Sequence, residues 1–159
     1  MRTESAPPVS LVECSDVLTK LPDLTAARFD NYYAEQHERR NTRNARNSRP
    51  PEARRPPTPI TDPDLRRQIA RARVFLRENS WPTKTVNRTR SSYDLKHEAE
   101  RWIGRIYPRE VEIPYISNGA FITAARLEGY TIKREGPNAL FALRFMPEYR
   151  RLRKQRSNV

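Results

Sequence analysis

Apolar positions cluster in the back half of the chain, and between residues 91 and 145 their spacing changes from helical to strand-like. Leu95, Ala99, Trp102, Ile103 and Ile106 fall at i, i+4, i+7, i+8 and i+11, a single helical stripe, with Lys96, Glu100 and Arg101 off it. Ser91 followed by Asp94 has the spacing of a capping box. Gly104 and Pro108 place the end of this helix near 103–107. A second helix is predicted over Ser117–Glu128, with Ser117 or Asn118 as N-cap. Phe121, Ile122, Ala125 and Leu127 supply its apolar surface, and Gly119, Ala120, Ala124 and Ala125 give it a small-residue side. Gly129 stands where a left-handed C-terminal residue is wanted, with Tyr130 as its hydrophobic contact.

Thr131–Arg134 and Ala139–Phe145 read as strands around the turn residues Glu135-Gly136-Pro137-Asn138. Ala139, Phe141, Leu143 and Phe145 share one face of the second strand, and Leu140, Ala142 and Arg144 the other. An earlier helix is predicted over 61–79, capped by Asp62 with Pro63 at its first position. It has a Leu65, Ile69, Ala72 and Leu76 stripe, and Arg66, Arg67, Arg71, Arg73 and Arg77 cover much of the rest. Trp81-Pro82 ends it, and 82–90 reads as a polar, basic connector. The expected fold class is therefore α+β: a winged-helix-like module over 61–146. Ser117–Glu128 is its expected recognition helix and the Glu135–Asn138 turn its wing tip.

The run SYDLKHEAE, then YISNGAFITAARLEGY, then GPNA and an apolar strand resembles small uncharacterised proteins encoded by phage and other viruses. Those share a Ser-Tyr-x-Leu-Lys-His start and a Tyr-x-Ser-Asn-Gly-x-Phe-Ile middle. The resemblance spans about residues 91–145 and implies one folded unit there, without implying an activity.

The remaining segments are organised differently. Within residues 1–34, Ser10 is placed to cap a predicted short helix carrying Leu11, Val12, Val17, Leu18 and Leu21, and Pro22-Asp23 to open a second predicted one with Leu24, Phe29, Tyr32 and Tyr33. Neither has enough apolar surface to stand alone, so the segment reads as a helical hairpin or a partner-binding piece. Residues 35–60 are rich in Arg, Asn and Pro, the composition of a disordered basic linker, with seven arginines within 39–55. Residues 147–159 form a basic tail, read either as a helix lying along phosphates or as solubilising disorder.

Charge sharpens the functional expectation. Over 159 residues the net charge is +12, of which +4 lies in 35–60, +6 in 61–146 and +4 in 147–159, while 1–34 carries −2. Most of the excess is arginine, which forks onto phosphate and stacks on bases. The expected partner is nucleic acid, DNA or RNA, contacted mainly through backbone and shape. The expected contacts are Arg39, Arg40, Arg43 and Arg46 in the linker, Arg66, Arg67, Arg71 and Arg73 on the 61–79 helix, and Thr123 and Arg126 on the recognition helix. Lys133, Arg134 and Arg144 add to these from the hairpin, and Arg150, Arg151, Arg153 and Lys154 from the tail. The alternative is a protein-interaction or structural adaptor, a viral accessory or particle component. Its small-residue side around Gly119 and Ala124 would dock a partner or a second copy.

Chemistry-bearing patterns are sparse, so the expectation is a non-enzymatic protein without cofactor or metal. Cys14 is the sole cysteine, which excludes an internal disulfide. His37 and His97 lack partners at metal-ligand spacing, and Glu98 and Glu100 read as solvated charges. There is no phosphate-binding glycine loop and no nucleophile motif. Ser117-Asn118-Gly119 reads as a helix cap whose free N–H groups could hold a phosphate. No apolar run approaches the roughly 20 residues of a membrane span, and no secretory signal is evident. The expected location is intracellular, with residues 150–156 able to act as a nuclear address in a eukaryotic host.

Overall fold

A computed structural model describes residues 9–21, 24, 62–108 and 114–154, with the backbone alone for 152–154. Pro22–Tyr33, where a second N-terminal helix is expected, lies outside the described residues apart from Leu24, and the 35–60 linker lies outside them entirely. In chain order the elements are α1 (Leu11–Lys20), α2 (Pro63–Asn79), β1 (Ser80–Pro82), α3 (Ser92–Ile106), α4 (Asn118–Leu127), β2 (Ile132–Glu135), β3 (Asn138–Phe141), β4 (Leu143–Phe145) and α5 (Pro147–Lys154). This is an α+β fold.

Local bonding accounts for the helix boundaries. The Ser91 hydroxyl accepts from Asp94 N, and the Asp94 carboxylate accepts from Ser91 N at 3.0 Å, a complete capping box. Ser10 and Glu13 repeat the arrangement at α1. Asp62 accepts from Asp64 N and Leu65 N, with Pro63 at the first helical position, where its missing N–H costs nothing. At the end of α4, Tyr130 N donates to Ala125 O at 3.0 Å and Gly129 N to Arg126 O at 3.1 Å, with Gly129 at φ +81°. That is the Schellman closure. It buries Tyr130, whose hydroxyl lies 2.9 Å from the Ser80 hydroxyl.

The core is built on Phe75 of α2. Its ring meets Trp102, Phe121, Phe145 and Tyr149 at centroid separations of 5.6–6.3 Å, so α2, α3, α4, β4 and α5 converge on one side chain. The most extensive helix contact is between α2 and α4. The predicted stripes are buried at Leu65, Ile69, Ala72 and Leu76 and at Leu95, Ala99 and Ile103, whereas Ile106 is exposed. Gly104 lets the chain return close to α3: a Cβ there would stand 3.2 Å from Pro114 Cγ.

The strands depart from a simple hairpin. β2 and β3 pair antiparallel, with Glu135 opposite Asn138. Gly136 has φ +58° at the first loop position and Pro137 fixes a negative φ at the second, which makes the turn type II′. At Ala142 the last strand then changes partner. Ala142 N still donates to Thr131 O, but β4 pairs with β1: Ser80 opposite Phe145, Trp81 opposite Arg144, Pro82 opposite Leu143. The 83–91 loop closes the free edge of β3, where Thr83 N donates to Ala142 O, Asn87 N to Phe141 O, and Ser91 bridges Leu140. Leu140 and Ala142 are therefore buried as well, and along the strand only Arg144 faces out.

Helix α1 does not stand apart. Val9, Cys14, Val17 and Leu24 join the common core, and α1 packs on α4. Between α1, α2, α3 and β3, α4 is enclosed: every residue from Asn118 to Ala125 is buried. The small-residue side expected to dock a partner is thus used internally. Of the two carboxylates expected in solvent, Glu98 is buried at 7% exposure and Glu100 is half-buried against Lys96 and His97, and Lys96 is itself buried at 5%.

Candidate nucleic-acid interface

The arginines separate into those consumed by the fold and those left outside it. Arg73 Nε lies 2.5 Å from Glu128 Oε1 and its Nη1 lies 2.8 Å from Glu13 Oε1, while Arg77 Nε reaches the second Glu128 oxygen at 2.7 Å. Burial alone would raise the Glu128 pKa, but the hydrogen bonds from Arg77 and Arg73 outweigh it and hold the carboxyl below its ordinary value. Burial likewise acts to lower the Arg73 pKa, and its bonds to Glu128 and Glu13 reverse the sign and raise it. Arg73 is therefore a structural cation. Arg66 donates to Val9 O at 3.3 Å, tying α2 to the start of α1. Arg67 pairs with Asp64 on the surface. Arg71 is half-buried on α2.

The expected recognition helix is not available to a groove. Thr123 is fully buried and donates its hydroxyl to Gly119 O at 2.8 Å. Its expected role in nucleic-acid contact does not fit this position, because the hydroxyl is spent on its own helix. Arg126 is half-buried in the last turn. The Ser117 hydroxyl accepts from Ala120 N, and Asn118 is buried with its amide nitrogen 2.9 Å from Asn138 Oδ1. The start of α4 thus faces the hairpin turn. Lys133 and Arg134 are exposed on β2, where Arg134 Nε donates to Gly136 O, and β3 separates them from the 83–91 loop. Arg39, Arg40, Arg43 and Arg46 and the side chains of Arg153 and Lys154 lie outside the described residues.

What remains converges elsewhere. An open depression of about 680 Å³ is lined by Thr83, Thr85, Val86, Asn87, Thr89 and Arg90 of the loop, by Leu143, Arg144 and Phe145 of β4, and by Arg150 of α5. Arg144 and Arg150 are exposed and form no ion pair among the described residues. Lys84, Arg88 and Arg151 add exposed positive charge on the same loop and helix.

Buried Glu98 organises the rim. One oxygen pairs with Arg90 Nη1, and the other accepts from the Tyr149 hydroxyl at 3.2 Å. One carboxylate thus holds both the loop wall and the α5 wall. Tyr149 also packs on Phe145 at 5.1 Å between ring centroids, which seats the first turn of α5 and places Arg150 at the depression.

Of the expected contacts, the depression unites Arg144 with Arg150. It adds Arg90 and four hydroxyl or amide side chains that the sequence presented only as a polar connector. The composition PTKTVNRTR was a signal of its polarity, but nothing local says that it lies along the edge of β3.

The first turns of α3 and the residues just before α4 also meet. Lys96 Nζ lies 5.1 Å from the Tyr93 ring centroid and 5.3 Å from that of Tyr115, and 3.4 Å from Glu100, whose Oε1 also accepts from Ile116 N. His97 Nδ1 lies 2.7 Å from the other Glu100 oxygen. Among the described residues no group of three or more His, Cys, Asp or Glu is placed to hold a metal, and no helix is long and apolar enough to cross a membrane.

Comparison with family models, with curated proteins and with solved structures finds no match to the chain.

Proposed function

We propose that this protein is a non-enzymatic nucleic-acid-binding protein built on a winged-helix-like module, and that it recognises backbone and shape through the arginine-lined face between the 83–91 loop, β4 and α5. The element order supports the winged-helix-like reading: helix, strand, two helices and a hairpin whose last strand returns to the first strand. The observation that carries the function is the contrast between paired and unpaired guanidinium groups. Arg66 and Arg73 are consumed by packing. Arg144 and Arg150 instead line an open depression of mixed polar and apolar lining, where they stand with threonines and an asparagine, a set of donors suited to phosphate oxygens. Because α4 is enclosed, binding does not require a helix inserted in the major groove, and contacts of this kind carry little sequence information.

The test is a salt titration of affinity for duplex DNA and for RNA, with the wild type beside an Arg144→Ala/Arg150→Ala double variant. Affinity falls steeply with added salt in the wild type, and loss of two phosphate contacts reduces the log–log slope by about 2. A flat salt response, or a double variant that binds like the wild type, contradicts the proposal.

A further inference from the structure

We infer that the ligand of this face is single-stranded nucleic acid, with Trp81 as the platform on which a base stacks. The inference rests on the nucleic-acid reading above and narrows it.

Trp81 lies directly opposite Arg144 in the β1–β4 pair. Directly opposed residues share a sheet face with side chains in contact range. Their neighbours Ser80 and Phe145 are buried, so Trp81 and Arg144 form the outward pair. Trp81 is 36% exposed and makes no ring contact with another aromatic side chain among the described residues. Trp102, by contrast, is packed between Phe75 and Tyr107.

The chain then runs from Trp81 through Pro82 into the loop that walls the depression, and Arg144 lines that depression itself. An outward indole thus pairs with a guanidinium that itself lines an open hollow of about 680 Å³ with polar and apolar walls. Duplex nucleic acid hides its base faces and would use only the charge. A single strand offers both phosphates and unstacked base faces. Positive grooves with interleaved aromatic side chains suit that combination and tolerate any sequence. Stacking also gives an exposed indole on a highly charged surface a use that charge alone does not.

The experiment uses the full chain and fluorescein-labelled dT12, rU12 and a 12-base-pair mixed-sequence DNA duplex, read by anisotropy at moderate salt. The variants are Trp81→Ala, Trp81→Phe and Arg144→Glu/Arg150→Glu. The wild type binds at least one single strand more tightly than the duplex. Trp81→Ala weakens that binding about tenfold, and by at least fivefold more than it weakens duplex binding. Trp81→Phe keeps most of the affinity.

A second readout does not depend on the alanine variant folding. Unlabelled dT12 or rU12 quenches the indole fluorescence of the wild type and leaves that of Trp81→Phe, which retains Trp102, nearly unchanged. Tighter duplex binding, equal losses on both substrates, or equal quenching in Trp81→Phe overturns the single-strand inference while leaving the nucleic-acid reading intact. No binding to any probe, or binding unaffected by the double charge reversal, overturns both.

Discussion

Arg73 Nε and Glu128 Oε1 stand 2.5 Å apart across 55 residues of sequence, joining the middle of α2 to the C-cap of α4. The same guanidinium reaches Glu13 on α1, so three helices meet at one cation. Glu128 is mostly shielded, with 13% of its side chain exposed, and solvent screens the pair only in part. Replacing Glu128 by Ala strands Arg73 on Glu13 alone and should cost about 1–3 kcal/mol. Urea unfolding measures it, and a loss below about 0.5 kcal/mol would mean that the network is not stabilising.

Acid should weaken the fold through the same groups. The Glu13 carboxyl is held below its ordinary 4.5, chiefly by the Ser10 N–H, and Glu128 is lowered net despite its burial. Asp94 falls below its ordinary 3.8, again chiefly through a backbone bond, from Ser91. Each folded value lies under the unfolded one, so the unfolded chain binds protons first as pH falls. Their contribution is complete above about pH 5 and is lost as pH drops through the folded values. Urea midpoints at pH 7, 5 and 3 should hold between the first two and fall at the third, and Glu128→Gln should flatten the fall. Equal midpoints at pH 7 and pH 3 would refute this.

Phe75 is fully buried at the meeting point of four aromatic rings. Phe75→Ala should cost about 3–5 kcal/mol, because the surrounding rings belong to different elements and cannot all close on the cavity. Phe75→Leu should cost clearly less. A thermal melt of both variants checks the order, and an alanine variant as stable as the leucine one would place the core elsewhere.

At Gly129 the φ of +81° is the whole difficulty, since an added Cβ meets nothing within 4 Å. Gly129→Ala should therefore cost about 1–2 kcal/mol of backbone strain. Gly129→Asn should cost less, because asparagine tolerates the left-handed region better. Denaturant titration of the pair tests this, and equal losses for the two would show that strain at this position is not the cause.

Much of the local structure was legible because its determinants lie within a few residues of one another. Ser91 with Asp94, Asp62 with Pro63, Gly129, and Gly136-Pro137 each mark a boundary by bonds or dihedral preferences spanning at most five positions, and each boundary is where they place it. The apolar stripe of α2 is buried for the same reason: a helix period fixes which side chains share a face. The charged residues were another matter. Lys96 and Glu98 look like any helix charges in sequence, yet Lys96 sits between two tyrosine rings and Glu98 holds Arg90 and Tyr149, 8 and 51 positions away. Thr123 reads as a groove-facing residue in sequence, yet α4 is packed by α2, α3 and α1 and Thr123 is fully buried.

The α+β class, the helix caps, the turn and the arginine excess are all readable along the chain, since each depends on near neighbours or on composition. Long-range contacts set which arginines are consumed and which remain outside, the change of partner by the last strand at Ala142, and the surface shared by the 83–91 loop, β4 and α5. The physical reason is that burial and ion pairing are set by contacts between distant segments. A guanidinium carries the same charge wherever it stands, and its availability depends on whether a carboxylate from another element has already taken it.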